Sequence, residues 1–222
     1  MKDDEMDAMP DRSPCQVVDL GEIDLLKADS IITRLTEDRQ RDAVSDMVLF
    51  LSYKPCLAVG VRQMNPQDLL KPLDFFTRQN IPLYKTVRGG GLTYHWPGQL
   101  VCYPILKLRE DEKNIPKYMS TLEQIGLDTL AKFGLSASRK RDKTAQIGLW
   151  INNDKIASMG IRISRWVTSY GFALNLSGDP SPSFFIRPCG LEDVNLITIE
   201  QMIGTAPERE TVKSIIKSLF EH

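Results

Sequence analysis

Two segments of the sequence combine residue types that could bind or process a small substrate. In the first, the triple glycine Gly89-Gly90-Gly91 follows Arg88 and precedes Leu92-Thr93-Tyr94-His95. Glycines let a backbone approach a ligand closely and adopt positive φ angles, so the amides of this loop could converge on an oxygen atom. A flexible turn is the alternative interpretation. The segment has neither a P-loop ending nor the spacing of a dinucleotide fingerprint, so it predicts no nucleotide.

The second segment is Arg187-Pro188-Cys189-Gly190, where proline before the cysteine and glycine after it predict a tight turn that can hold a thiol in a cleft. Most cysteines are small buried hydrophobes, and Cys56 and Cys102 fall within predicted strands, where that interpretation is favoured. Cys15 belongs to the N-terminal region. Lys155 opens a predicted strand after a polar turn and, taken alone, indicates a solvated charge.

Charge and composition disfavour several classes of protein. The 28 basic and 29 acidic residues leave a net charge of −1, whereas a nucleic-acid binder usually carries a basic excess. The cysteines are widely spaced and only His95 and His222 are histidines, so no metal site is predicted. No apolar run reaches the roughly 20 residues that span a bilayer. Because residues 1–14 are acidic and polar, unlike a leader peptide, we expect a cytoplasmic protein with reduced thiols.

Hydrophobic periodicity predicts the helices that must position these segments. Residues 1–14 indicate a disordered tail, and residues 15–222 are enough for one hydrophobic core in one domain. Helices are predicted over 24–43, 65–80 with a kink at Pro72, and 114–133, ending before Gly134. Two shorter helices are expected at 198–203 and 207–221.

The predicted strands define the fold class. Residues 47–53 and 56–61, separated by Lys54-Pro55, predict a hairpin, and strands at 81–87 and 100–106 flank a loop over 88–99. From residue 145 the apolar residues alternate, which predicts an antiparallel meander of strands 145–151, 155–163 and 166–176. Strands and helices without strict alternation predict an α+β fold, a single domain with a mixed, mostly antiparallel sheet packed by helices.

Three blocks together carry a family resemblance. RGGGLTYHWPGQLVCYPI (88–105), KIASMGIRISRWVTSYGFALN (155–175) and PCG (188–190) have the order and spacing found in the lipoyl(octanoyl) transferase family, which the chain resembles from about Val17 to its C-terminus. The resemblance implies the fold shared by biotin and lipoate protein ligases. It also implies transfer of an octanoyl, or medium-chain acyl, group from acyl carrier protein to a lipoyl-domain lysine through a cysteine thioester, the first step of endogenous protein lipoylation. No cofactor is implied.

The resemblance assigns roles position by position. It makes Cys189 the nucleophile and Lys155 its activating partner. The residues that it assigns to the acyl site are Arg88, Gly89, Gly90, Gly91, Leu92, Thr93, Tyr94, His95, Ser158, Met159, Gly160, Gly171, Phe172 and Ala173.

The resemblance also implies the partners of the protein and shows where the sequence differs from the family pattern. The acceptors would be lipoyl domains of 2-oxoacid dehydrogenase E2 subunits and the glycine cleavage H protein, with neither nucleic acid nor membrane as a partner. Trp96 and Tyr170 stand where the family usually has glycine and histidine, so we expect both to shape the acyl pocket. Arg162 and Arg165 are expected at a rim that meets an acidic carrier protein. The alternatives are an ATP-dependent lipoate or biotin ligase of the same fold and a catalytically inactive acyl-binding homologue.

Overall fold

The computed structural model describes residues 15–62, 64–140, 147–191 and 194–221, and for Cys189 the backbone only. The predicted tail, residues 1–14, lies outside the described residues. Within these ranges the chain forms ten strands: β1 (Gln16–Ile23), β2 (Met47–Tyr53), β3 (Cys56–Val59), β4 (Leu83–Lys85), β5 (Leu92–His95), β6 (Gln99–Ile105), β7 (Ser138–Arg139), β8 (Gly148–Ile151), β9 (Asp154–Ser164) and β10 (Val167–Asn175). The α-helices are α1 (Leu25–Gln40), α2 (Leu73–Thr77), α3 (Ile115–Ala131), α4 (Ile199–Ile203) and α5 (Arg209–Phe220).

The strands form a large and a small sheet. The large sheet has seven strands in the order β1-β2-β6-β10-β9-β8-β7, and only its β1–β2 pair is parallel. The small sheet has the order β4-β3-β5, with β3–β4 parallel and β3–β5 antiparallel. The predicted meander is confirmed as β8-β9-β10. The prediction of a single α+β domain with a mixed, mostly antiparallel sheet is confirmed as well.

Helices cover both faces of the large sheet. β2 shows the reason, because its side chains alternate between two apolar clusters: Val48 and Phe50 join the cluster beneath α3 and α5, whereas Leu49 and Leu51 join the cluster beneath α1. A strand buried on both faces has a continuous apolar sequence, as β2 does. In the part of the chain that the structure describes, no helix has the length and apolarity needed to cross a membrane.

The predicted helices at 24–43, 114–133, 198–203 and 207–221 are confirmed as α1, α3, α4 and α5. The longest, α3, has clear end signals: the Asn114 side chain accepts a hydrogen bond from the Lys117 amide, and Gly134 follows the helix with a φ of +71°. The predicted helix at 65–80 is instead a short 3₁₀ turn, Pro66–Asp68, followed by α2. Pro72 marks the interruption because it immediately precedes α2.

The hairpin predicted for residues 47–61 is wrong. β2 pairs with β1 and β6 in the large sheet, whereas β3 pairs with β4 and β5 in the small one. Of the two turns that favour a two-residue hairpin, type I′ needs a positive φ at both central residues, which proline cannot adopt, and type II′ favours glycine at the first, where Lys54 stands. Pro55 therefore separates two strands of different sheets.

Three strands were not predicted, and the shortest of them, β7, has only two residues. β5 lies inside the predicted loop 88–99. Its four residues are all buried, but the glycines before it and the proline after it are typical of a loop. β1 is an edge strand whose side chains are mostly exposed, so it lacks a clear alternating apolar pattern.

Candidate active site

A cavity lies where β5 of the small sheet faces β6, β9 and β10 of the large sheet. Its volume is about 30 Å³, far below the roughly 300 Å³ or more of a typical small-molecule site. An acyl chain therefore needs side chains to move, and Met159 is suited to this because its thioether side chain is unbranched and flexible. The cavity is lined by Arg88, Leu92, Thr93, His95, Tyr103, Lys155, Ser158, Met159, Gly160, Gly171, Phe172, Ala173 and Pro188.

Most residues assigned to the acyl site from the sequence are thus brought together. Tyr103 and Pro188 line the cavity but were not predicted, because Tyr103 reads as an ordinary core residue of an apolar strand. Gly89, Gly90, Gly91 and Tyr94 do not line it. Among the described residues, no group of three or more His, Cys, Asp or Glu side chains is positioned to hold a metal ion.

Arg88 organises the glycine loop. Its guanidinium donates hydrogen bonds to the carbonyl oxygens of Ala58 (2.7 Å), Gly89 (2.9 Å) and Gly91 (3.1 Å). The side chain is 8% exposed, and these carbonyls supply the acceptors that a buried guanidinium needs. Arg88 therefore holds the backbone around the cavity in place.

The glycines of this loop allow two backbones to meet. The Gly89 amide donates to the Ile161 carbonyl at 3.0 Å, and a Cβ atom on Gly160 would lie 2.6 Å from the Gly89 carbonyl oxygen. A larger residue at either position would push the loop away from β9. The close approach predicted for these glycines is therefore to strand β9.

Tyr94 and Trp96 pack away from the cavity. Alternation along β5 directs Thr93 and His95 toward the cavity, and Tyr94 toward a third apolar cluster that Trp96 joins. The two rings stack with centroids 5.5 Å apart, and Trp96 Nε1 donates to the Ser177 carbonyl at 2.8 Å. The expectation that Trp96 shapes the acyl pocket is therefore not met by its position.

A chain of buried polar side chains links His95 to the backbone of Lys155. Asn175 Nδ2 donates to the carbonyls of Lys155 (3.2 Å) and Ile197 (2.9 Å), which leaves Asn175 Oδ1 to accept from Gln99 Nε2 at 2.9 Å. Gln99 Oε1 must then accept from His95 Nδ1 at 2.7 Å. His95 thus carries its proton on Nδ1, and Nε2 is a hydrogen-bond acceptor.

His95 is a weak base. Burial lowers the pKa of its imidazole to about 3, helped by the nearby positive charge of Arg88 and opposed by the hydrogen bond to Gln99. A general base works best with a pKa near the operating pH. Lys155 is therefore the better candidate to carry protons in this cavity.

Lys155 is held at one end of the cavity by backbone and side-chain contacts. Its amide donates to the Asn195 carbonyl at 2.8 Å, and its carbonyl accepts from the Ile197 amide at 3.1 Å. The side chain is 3% exposed, and Nζ lies 5.1 Å from the centre of the Trp150 ring. Gly148 makes room for it, because a Cβ atom there would lie 2.5 Å from Lys155 Cε. Neither Gly148 nor Trp150 was singled out in the sequence.

The turn that carries Cys189 borders the cavity through Pro188. The Gly190 amide donates to the Arg187 carbonyl at 3.0 Å, and Gly190 has a φ of +77°, so the predicted tight turn is confirmed. The Cys189 side chain lies outside the described part of the structure. Of the other cysteines, burial raises the pKa of the Cys56 thiol to about 12 and that of Cys102 well above its usual range, so neither is a nucleophilic thiolate.

Gly148→Ala should lower the free energy of unfolding by about 1–3 kcal/mol more than Gly134→Ala, measured by urea denaturation. Both positions have positive φ angles, of +143° and +71°, but only the alanine at 148 would meet Lys155 and the Ala157 carbonyl, whereas nothing lies within 4 Å at 134. Equal losses would show that Lys155 does not need the space above Gly148.

His95 should make stability fall in mild acid. In the unfolded chain histidine takes up a proton near pH 6.5, whereas folded His95 stays neutral to about pH 3, so folding is favoured above pH 6.5 and loses free energy below it. Between pH 7.5 and 5 the parent should lose about 2 kcal/mol more of its unfolding free energy than His95→Asn. Parallel pH dependences would contradict a neutral buried imidazole.

The chain matches a known family over most of its length. The model of the lipoyl protein ligase A/B catalytic domain matches residues 27–221. The octanoyltransferase of Solibacter usitatus is 41% identical over 177 residues, covering 80% of this chain and 79% of that protein. The octanoyltransferase of Desulforamulus reducens is 35% identical over 205 residues, covering 92% of this chain and 88% of that protein.

Solved structures share the fold at low identity. A bipartite lipoate protein ligase from Thermoplasma acidophilum superposes with a TM-score of 0.70 at 14% identity, covering 94% of this chain and 83% of the other. That likeness confirms the predicted biotin/lipoate protein ligase-like fold and speaks only to the fold. Taken together with the matched model and the two relatives, it shows that the chain belongs to the lipoyl protein ligase A/B catalytic domain family.

Proposed function

We propose that the protein transfers an octanoyl group from acyl carrier protein to the lysine of a lipoyl domain, through a thioester on Cys189. The observation that carries the proposal is the buried Lys155 amine in a partly apolar cavity that also borders the Pro188–Gly190 turn. The relatives named above are octanoyltransferases, and the Thermoplasma ligase was studied with its E2 lipoyl domain. The acceptors would be E2 lipoyl domains and the glycine cleavage H protein, in the cytoplasm.

The reaction divides into two exchanges at one carbonyl carbon. Cys189 Sγ attacks the donor thioester, the bond to the carrier sulfur breaks, and the carrier leaves as a thiol after taking a proton. The acceptor amine then attacks the acyl-Cys189 carbonyl, and the Cys189 sulfur leaves as the amide forms. Thioester exchange suits a cysteine because each step has a good leaving group.

Lys155 has the proton-transfer role in this scheme. A thiol with a pKa of about 8.5 is only about 3% ionised at neutral pH, so a group that takes and returns its proton is needed. Lys155 would receive the Cys189 proton, pass it to the departing carrier thiol, and later accept a proton from the attacking amine. His95 is unsuited because its pKa is about 3. Leu92, Met159 and Phe172 would contact the acyl chain, at about 0.8 kcal/mol for each methylene buried.

Two other functions are compatible with the fold. An ATP-dependent ligase would activate its acid as an adenylate and would need no nucleophilic cysteine. A catalytically inactive homologue would bind an acyl group without transferring it. An assay of transfer from octanoyl carrier protein, with and without ATP, separates the three: we expect transfer that ATP does not affect.

Cys189 should carry the acyl group between the two exchanges. Incubation with octanoyl carrier protein and no acceptor should add one octanoyl group to the Cys189 peptide, detected by mass spectrometry, and a lipoyl domain should remove it. Cys189→Ala should abolish labelling, whereas Cys102→Ala, the change of a fully buried core thiol, should preserve it. An acyl group that persists in Cys189→Ala would contradict the assignment.

Lys155→Met should slow both exchanges by at least about 100-fold, the usual scale of general acid–base catalysis, with the fold intact by circular dichroism. Lys155→Arg should recover little, because a guanidinium stays protonated and cannot accept a proton. The matched control is Lys140→Met, since Lys140 Nζ lies 4.6 Å from the same Trp150 ring but does not line the cavity. Near-normal turnover in Lys155→Arg would mean that Lys155 supplies only charge.

A further inference from the structure

A second cleft lies next to the acyl cavity, between α1 and the ends of β9 and β10. Its volume is about 300 Å³, and its lining includes Arg41, Arg162, Arg165, Ser169 and Tyr170. Arg162 and Arg165, which were expected at a rim facing the donor, line this cleft and do not line the acyl cavity. A polar cleft therefore lies just beyond a cavity whose lining is largely apolar.

Two tyrosine rings separate the cavity from the cleft. Tyr103 lines the cavity and Tyr170 lines the cleft. The ring centroids are 5.3 Å apart at 64°, and the residues are 4% and 2% exposed. We call the Tyr103 and Tyr170 rings the wall. The Tyr53 hydroxyl donates a hydrogen bond to the Tyr103 hydroxyl at 3.3 Å, which helps to fix the position of the Tyr103 ring.

The backbone directs Tyr170 into this wall. Strand alternation would send Ser169 and Tyr170 to opposite faces, yet both line the cleft, because Tyr170 has a φ of +58°. A tyrosine in the left-handed region costs about 1–3 kcal/mol and persists only when its surroundings enforce it. The two residues that follow Tyr170 along β10, Gly171 and Phe172, line the acyl cavity and not the cleft.

The direction of the cavity brings the end of an acyl chain to this wall. The reacting carbonyl belongs near Lys155 and Pro188, and β9 then runs past Ser158 to Gly160, which pairs with Gly171. The next pair along the two strands is Ile161 with Tyr170. A chain that enters beside Lys155 and follows β9 therefore ends at the Tyr103–Tyr170 wall.

We propose that the Tyr170 ring sets the longest acyl chain that this protein accepts, by closing the acyl cavity against the arginine-lined cleft. This inference rests on the proposed function, since it takes the cavity to be the acyl site. Flexible Met159 lets the cavity widen sideways, whereas the two packed rings fix its length. Removing the Tyr170 ring would leave the Tyr103 ring without its packing partner, so that Tyr103 can move toward the cleft and make room for further methylenes.

The test measures chain-length preference in two ways. Binding of saturated fatty acids of 6 to 14 carbons is measured by calorimetry, and transfer is measured with the matching acyl carrier protein thioesters. In Tyr170→Ala, the preference for 12-carbon over 8-carbon chains should rise at least about tenfold in both binding and transfer. Each methylene that becomes buried raises the affinity about fourfold. Tyr170→Phe, which keeps the ring, should retain the parental profile.

Controls separate this inference from a loss of stability. Tyr118 of α3 is a buried tyrosine in a core cluster and does not line the cavity, so Tyr118→Ala should lose stability and keep the parental profile. If Tyr170→Ala fails to fold, Tyr170→Leu provides the same test with more packing retained. An unchanged profile in the folded Tyr170 variant, or a shift in Tyr170→Phe, would overturn the proposal.

The two measurements also distinguish failure of the inference from failure of the proposed function. If the parent binds octanoate but transfers nothing from the carrier, the proposed function fails, and a shifted binding profile in Tyr170→Ala still supports the wall. If the parent transfers octanoyl groups and Tyr170→Ala accepts no longer chains than the parent, the role proposed for Tyr170 is wrong and the proposed function stands. A parent that binds no fatty acid overturns the inference.

Discussion

The burial of Lys155 is the constraint on which the rest of the site depends. Lysine is rarely buried, because its charged form loses strong hydration inside a protein. Here the residue is 3% exposed, and its backbone is fixed by hydrogen bonds to Asn195, Ile197 and Asn175. The face of the Trp150 ring offers an ammonium group an electrostatic attraction that strengthens away from water. A lysine held in this way cannot swing out to solvent without breaking its surroundings.

Holding Lys155 requires parts of the chain that are distant in sequence to meet at short range. The polar chain from His95 through Gln99 to Asn175 connects β5 and β6 to β10, and it ends on the Lys155 carbonyl itself. Asn175 Nδ2 donates to the two carbonyls at its end, which fixes the orientation of the Asn175 amide and, through it, that of Gln99. The same network that positions Lys155 therefore also fixes His95 in one tautomer.

Glycines allow distant backbone segments to approach each other closely beside the cavity. A Cβ atom on Gly60 would lie 2.4 Å from the Gly90 carbonyl oxygen, and one on Gly160 would lie 2.6 Å from that of Gly89. The first of these contacts joins the end of β3 to the glycine loop before β5, and the second joins that loop to β9 of the large sheet. The Arg88 guanidinium binds the carbonyls nearby, and the cavity lies beyond these contacts.

Much of the cavity lining could be predicted through the family resemblance, because β5, β9 and β10 each carry several lining residues within a short run. The rest depended on contacts that sequence spacing does not reveal. Gly148 and Trp150 of β8 contact the Lys155 side chain on the neighbouring strand β9. Tyr103 has the sequence features of an ordinary core residue. The assignment of Tyr94 failed because its side chain packs with that of Trp96 in the third apolar cluster and does not reach the cavity. The hairpin predicted at 47–61 does not form because its connection, Lys54-Pro55, has neither the glycine nor the asparagine that two-residue hairpin turns favour.

The division of the site between regular and irregular backbone explains how one fold can serve different chemistry. The proposed wall, Tyr103 of β6 and Tyr170 of β10, is part of the core, so it changes only at a cost in stability. The proposed reactive end is built on the Pro188–Gly190 turn, which closes on the Arg187 and Pro188 carbonyls, and on the segment 194–197, which hydrogen-bonds to Lys155. The turn makes no hydrogen bond to the sheet among those described, so its residues can change without altering strand pairing. A fold retained at 14% identity shows that this sheet tolerates the replacement of most of its residues, and a shared fold does not by itself fix the reaction.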